Sequence, residues 1–228
     1  MLLPALSAAR ESAKGAQCIG NMKQIGLAMT TYLQDNKETY VVYRYANGVL
    51  PNPPYKVPST DSVSWVLVLL VNGYIGDVQA SNGDASYFDQ ARLIFRCPSM
   101  QSGRGNNQES GWDTGTMYRA QNFPDYGYNY LNIGSGLHDK TASAAPATAG
   151  GIANPSATIM NAEVYATDIA SVPNNGYYAM LGYVTTGKGY GCLHARHHSA
   201  VNVTWADGHV SSEPTKVGPD QLTYTATS

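Results

Sequence analysis

The chain has 228 residues, of which 13% are charged, and a net charge of -2; 43% are hydrophobic and 17 are tyrosine. An ordinary soluble domain carries ~25% charged residues, so neutral polar side chains, glycine and tyrosine make up the difference here. The length suits one domain with an appendage and can bury a core without staples. The lack of any Lys/Arg block excludes an electrostatic nucleic-acid footprint, and an aromatic content of 10% with a small net charge excludes disorder.

No apolar run reaches the ~18 residues that a spanning helix needs. No basic segment precedes an apolar run in the manner of a signal peptide. Residues 1–36 predict one long helix. Cys18, Met22, Ile25, Met29, Tyr32 and Leu33 recur at steps of three and four and build one apolar face. Lys14, Lys23, Gln24 and Thr31 occupy the other side, and Ala5, Ala8, Ala9, Ala13 and Ala16 favour the helix. Gly15, Gly20 and Gly26 weaken it without breaking it. Pro4 is harmless at a helix start, but would kink a helix continuing upstream. Asp35-Asn36-Lys37 closes the segment. At ~1.5 Å per residue such a helix is about 50 Å long. It is either a core helix or a spine that projects beyond the domain.

Residues 44–62 read as a loop. A second helix is expected from Asp61 to about Val71, with Asp61 as its cap, Val63, Val66, Leu67, Leu70 and Tyr74 as its buried face, and Asn72-Gly73 as its stop. Residues 76–89 read as polar loop. Leu93–Cys97 predicts a short strand ended by Pro98, followed by a surface loop over 99–125. Tyr126–Tyr130 predicts a strand with one tyrosine-rich face. Residues 134–151 read as loop, and Ala157–Tyr165 as a strand after an Asn154-Pro155-Ser156 turn. Ala200–Ala206 alternates like a strand, Asp207-Gly208 is a hairpin turn, and His209–Ser212 returns. Residues 214–228 read as a tail.

Candidate chemistry is sparse. His194, His197, His198 and His209 lie close in sequence beside Asp207, a composition that suits zinc or iron. No HxxxH spacing on a helix supports convergence, and no further acid presents itself as a fourth ligand. The sequence therefore assigns no metal, no cofactor and no catalytic residue. His197 and Asp207 are expected to tie the ends of the hairpin together. No GxSxG, GxGxxG or P-loop is present. The three cysteines, Cys18, Cys97 and Cys192, contain no CxxC pair. They allow one disulfide in any of three pairings, or three buried thiols.

The two ends of the chain together resemble one family. Leu2-Leu-Pro-Ala-Leu-Ser-Ala-Ala-Arg-Glu11, then Cys18-Ile-Gly-Asn-Met-Lys-Gln-Ile-Gly-Leu-Ala28 and Tyr32, are similar to the segment that follows the membrane half of a prepilin helix. Phe95-Arg-Cys-Pro-Ser99 and Tyr126-Gly-Tyr-Asn129 fit its middle. His197, nine residues, then Asp207-Gly208 fit a C-terminal His-x9-Asp-Gly signature. The chain thus resembles type IV pilin-like and type II secretion pseudopilin proteins.

That resemblance implies an α+β, pilin-like fold. A spine half-helix (1–36) would pack its Cys18, Met22, Ile25, Met29 and Tyr32 face on a small antiparallel sheet. The head (37–213) would carry long irregular loops and a second short helix, and a tail (214–228) would follow. It implies a structural rather than an enzymatic role for His197, Asp207 and Gly208, and a Cys18–Cys97 disulfide with Cys192 free. It also implies a membrane half-helix and a prepilin-peptidase site upstream of Met1, so that the chain as given is soluble. The native protein would be anchored in the inner membrane, its head in the periplasm or on the cell surface, and its partners other pilin or pseudopilin subunits and the secretion machinery. The calcium ion of some major pseudopilins is not implied, since no acidic loop matches. The alternative is an exported, membrane-tethered binding module that displays the Tyr-rich loops 99–125 and 134–151 to a polysaccharide or secreted substrate.

Overall fold

In the computed structural model, residues 2–45, 63–75, 93–103, 124–134, 145–166, 176–180 and 191–214 are described. The first helix, α1, runs Leu2–Asp35. Its predicted apolar face is buried: Cys18, Met22 and Ile25 are fully enclosed, and Met29 and Tyr32 nearly so. The side chains from Pro4 to Arg10 are all exposed, so packing begins only past the first third of the helix. The end is closed by Lys37 and Glu38 in the left-handed region, with the Glu38 N–H donating to the Leu33 carbonyl at 2.9 Å. No helix among the described residues is long and apolar enough to cross a membrane.

α1 lies against a sheet built from β3 (Tyr126–Asn129), β4 (Ile159–Tyr165), β5 (Ala179–Met180), β6 (Cys192–Leu193), β7 (Ala200–Trp205) and β8 (Val210–Pro214). The order is β5-β3-β4-β7-β8, with β6 paired to the end of β4. All its pairs are antiparallel except β3–β5, which is parallel, with Tyr128 opposite Ala179. β4 is the central strand and is buried on both sides, as its apolar content requires. A two-stranded ribbon, β1 (Arg44–Tyr45) and β2 (Val63–Ser64), stands apart from this sheet in its pairing. The class is α+β.

Two expected elements differ. The second helix, α2, is Trp65–Val71 and does not begin at residue 61. Val63 and Ser64 spend their backbone groups on β1, and the Trp65 N–H donates to the Tyr43 carbonyl, so the helix can start only after them. Asp61, its expected cap, lies outside the described residues. Trp65 to Leu70 are all buried, so α2 is a core helix rather than an amphipathic one. Asn72-Gly73 does stop it, with Gly73 at φ 74°. The expected strand over Leu93–Cys97 is instead a 3-10 turn at Leu93–Phe95, followed by another at Pro98–Gly103. Its backbone is satisfied locally and by one distant residue: the Asp125 carboxylate accepts the Cys97 N–H at 2.7 Å, and the Phe95 carbonyl accepts the Asp125 N–H at 2.9 Å. No ladder is left to form. Of the expected loops, all of 76–89 and most of 44–62, 99–125 and 134–151 lie outside the described residues, as does the tail from 215; Arg44–Tyr45 and Pro214, expected in loop and tail, belong to strands.

The hairpin of β7 and β8 forms at the expected place. The Gly208 N–H donates to the Trp205 carbonyl at 2.9 Å, and only Gly208 among the turn residues has positive φ, at 89°. This is a three-residue loop closed by a left-handed glycine. The turn rests on α1: a Cβ on Gly26 would lie 3.0 Å from Thr204 Cγ2 and 3.5 Å from the Gly208 carbonyl. Gly208→Val is expected to lower stability by about 1–3 kcal/mol, because a β-branched residue disfavours this φ. Its Cβ would also meet Thr30 Oγ1 at 3.3 Å. Urea unfolding measures the loss, and an unchanged midpoint would contradict the docking of turn on helix.

Candidate functional site

Four side chains from four separate segments meet beneath α1. Cys18 comes from the buried face of the helix and Cys97 from the junction of the two 3-10 turns. Glu163 comes from β4 and His197 from the segment leading into β7. A tight turn aims the last of these. His197 and Ala200 exchange both backbone hydrogen bonds, while His198 and Ser199 sit at φ 50° and 60°. Two consecutive non-glycine residues at positive φ cost energy, a form of strain that tends to sit at functional positions.

The ligand-type atoms lie within 4.8 Å of one another. Cys18 Sγ is 2.6 Å from Cys97 Sγ, and both cysteines are free. His197 Nε2 is 3.3 Å from Cys97 Sγ and 3.0 Å from Glu163 Oε1. Glu163 Oε1 lies 3.9 Å from Cys97 Sγ. Glu163 is held from the other side: Oε2 accepts the Asn202 N–H at 2.9 Å and Oε1 accepts Asn202 Nδ2 at 3.3 Å. The Arg196 guanidinium donates to the Val164 carbonyl at 2.6 Å and acts on Glu163 and Cys97 through its charge. Cys18 and Glu163 are 0% exposed, Cys97 1% and His197 6%, so the cluster is closed to solvent.

Burial opposes ionisation of Cys97, but its hydrogen bonds with Cys18 and His197 outweigh that and bring the thiol down to about 6. Burial would likewise lower His197, and its contacts with Cys97 and Glu163 reverse this and hold it near 9. Cys18 moves the opposite way, raised first by its bond to Cys97 and then by burial. The geometry therefore favours an anionic sulfur at Cys97 beside a cationic ring at His197. Buried away from any substrate, such a dyad suits structural ligation better than nucleophilic catalysis.

Residues 7–71 match a family model described as a protein of unknown function (DUF1559). The match takes in the packed part of α1, with Cys18, and continues through α2. It stops short of Cys97, Glu163, His197 and the hairpin. Comparison with curated proteins and with solved structures gives no match.

The histidines singled out from the sequence do not come together. His197 does not tie the hairpin ends; its ring goes to Cys97 and Glu163, as above. Asp207 instead accepts His209 Nδ1 at 2.6 Å and the His209 N–H at 3.1 Å, on the exposed turn. The His209 ring stacks on Trp205, with centroids 5.5 Å apart. Exposed His198 lies 3.4 Å from Ser12 Oγ. Cys192 is half-buried on β6. Glu163 was missed as a candidate, although a lone acid inside the apolar run Ile159–Tyr165 was a visible signal. The tyrosines near the cores are mostly enclosed, Tyr126 and Tyr128 completely. Most of the loops assigned to ligand display lie outside the described residues.

His194 stands apart, stacked on Tyr165 with centroids 5.0 Å apart. Burial first, then the charges of Arg196 and His197, push it down to about 4 against the partial opposition of Glu163. An unfolded chain therefore takes up a proton near pH 6.5 that the folded chain refuses. Its contribution is fully present above about pH 6.5 and is lost as pH falls toward 4, at up to about 1.4 kcal/mol per unit. Unfolding in urea between pH 7 and 4 should show this slope reduced in His194→Phe. An identical slope in both proteins would contradict it.

Proposed function

We propose that the chain is a structural subunit of a type II secretion pseudopilus or type IV pilus-like filament that assembles through α1. The observation that carries this reading is the face of α1 turned away from the head. At 100° per residue, Leu6, Ala9, Ala13, Ala16, Gly20 and Leu27 line one stripe opposite the buried Cys18/Met22/Ile25 face. These six residues are uncharged, and Lys23 stands at the edge of the stripe. Leu6 is 50% and Leu27 69% exposed, and a Cβ on Gly20 would meet nothing within 4 Å. Two helices approach closely when such small residues face one another, and the leucines at either end supply apolar area. The occupant proposed for this stripe is α1 of further copies.

Three further features support the reading. The sequence resembles prepilin-type helices at residues 2–32 and carries His197, Asp207 and Gly208 in the spacing of the family signature. The start of α1, from Pro4 to Arg10, is unpacked, as a spine leaving a head would be. The arrangement of one long helix on a mostly antiparallel sheet fits a pilin-like head. Inner-membrane anchoring through an apolar helix joined to residue 2, processing by a prepilin peptidase, and contact with a secretion machinery belong to the same proposal.

Chemical cross-linking of the native protein in its own membranes tests it. A ladder of multimers whose cross-links map to α1 is the expected result. Only monomers, at a linker length that captures a control filament subunit, would contradict it.

A further inference from the structure

We infer that Cys18, Cys97, Glu163 and His197 form a closed, structural zinc site that clasps the spine helix to the sheet. The inference is independent of the filament proposal, since it concerns the head alone. Two thiols, a carboxylate and an imidazole are the donor set that suits zinc, and four protein ligands with no open position mark a structural rather than a catalytic site. Tetrahedral zinc, with Zn–S of about 2.3 Å and Zn–N or Zn–O of about 2.0 Å, sets its ligand atoms about 3.3–3.8 Å apart. The contacts among His197, Glu163 and Cys97, at 3.0, 3.3 and 3.9 Å, lie within a few tenths of an ångström of that. The two sulfurs, at 2.6 Å, would separate by about 1 Å to admit the ion.

The surroundings are those of a built site. Asn202 holds Glu163 through its N–H and its side-chain amide, and Asp125 fixes the Cys97 backbone. Such supporting bonds orient first ligands. Two thiolates and a carboxylate concentrate negative charge in a closed interior, a large cost unless it is paired. A divalent cation pairs it, with the Arg196 charge beside it. The Cys18 thiol proton and the extra proton on the His197 ring leave to solvent when the ion enters. A Cys18–Cys97 disulfide would use the sulfurs alone. It would leave a fully buried carboxylate and an imidazole converging on a sulfur that needs neither.

The site also has mechanical logic. Its ligands come from α1, the 3-10 junction, β4 and the entry to β7, so one ion fixes the helix to three parts of the head. The match to the family model contains only Cys18 of the four.

The test begins with the unmodified protein, purified from zinc-containing medium without chelator. Elemental analysis should find stoichiometric zinc. Alkylation in denaturant with chelator and no reductant should then modify all 3 cysteines. Cobalt substitution should give a thiolate-to-cobalt charge-transfer band and tetrahedral ligand-field bands. Cys192→Ser should retain both metal and spectrum. Glu163→Gln should weaken zinc retention at least 10-fold in a chelator competition, on the order of what loss of one ligand or its support brings. Two results overturn the inference without any variant: alkylation of Cys192 alone, which means a Cys18–Cys97 disulfide, or three free thiols in a folded protein that takes up neither added zinc nor cobalt.

Discussion

Trp65→Ala is expected to lower the stability of the chain by about 3–5 kcal/mol, the range for removing a fully packed large aromatic. Trp65 is 0% exposed at the start of α2. Its ring meets Phe95 edge-on with centroids 5.5 Å apart and Tyr128 at 5.7 Å. It thus joins α2, the 3-10 turn before Cys97 and strand β3. Its Nε1–H donates to the Tyr178 carbonyl at 2.7 Å. That carbonyl also accepts the Tyr128 N–H at 3.1 Å, so the substitution leaves no orphaned acceptor there and its cost is mainly the cavity. Thermal unfolding should shift by roughly 10 °C for a chain of this size. Leu27→Ala, at a position 69% exposed, is the control and should stay within about 0.5 kcal/mol of the wild type. Equal effects at the two positions would contradict the core described here.

The opposite combination is expected on the outer face of α1. Ala13→Arg together with Ala16→Arg should abolish assembly in membranes while leaving thermal unfolding of the head unchanged. Both alanines are exposed on the small-residue stripe, and arginine is a good helix former, so the fold loses nothing. In a helical bundle, however, each arginine would stand where a neighbouring backbone must approach closely, and would carry an unpaired charge into that contact. The readout is the cross-linked ladder in membranes beside the melting temperature of the soluble protein. Loss of the ladder with an unchanged melt is expected. A ladder that survives both arginines would remove α1 as the assembly surface.

What could be read from the sequence was whatever is set locally. The spacing of Cys18, Met22, Ile25, Met29 and Tyr32 has only one helical interpretation, and Asp207-Gly208 between two alternating runs marks a turn whatever surrounds it. The segment Leu93–Cys97 could not be read the same way. Its backbone hydrogen bonds are decided by Asp125, far along the chain, which favours a turn over a ladder. β7 holds a subtler case. Its valines, Val201 and Val203, pack in a second small core with Ala162, Val164 and Met180, while Asn202 reaches Glu163 and Thr204 reaches the Met22 carbonyl on α1. The helix therefore lies on the polar side of this strand, the reverse of what alternation suggests.

The site was half legible for the same reason. Cys18, Cys97 and His197 were each visible as residues, and the resemblance to a family set two of them side by side. Their convergence with Glu163 depends on how α1 crosses β4 and β7, which no local pattern encodes. Glu163 is flanked by apolar neighbours that read simply as strand, and its partners lie on other elements.

The central claim is that this chain builds a filament through a prepilin-type helix, and the mature N-terminus of the native protein tests it most directly. Mass spectrometry of the protein isolated from the membranes of its source should find an N-methylated residue opening an apolar segment that runs without interruption into Leu2-Leu3-Pro4. A conventional signal-peptide cleavage site, or an unmodified native start at Met1, would contradict the filament account.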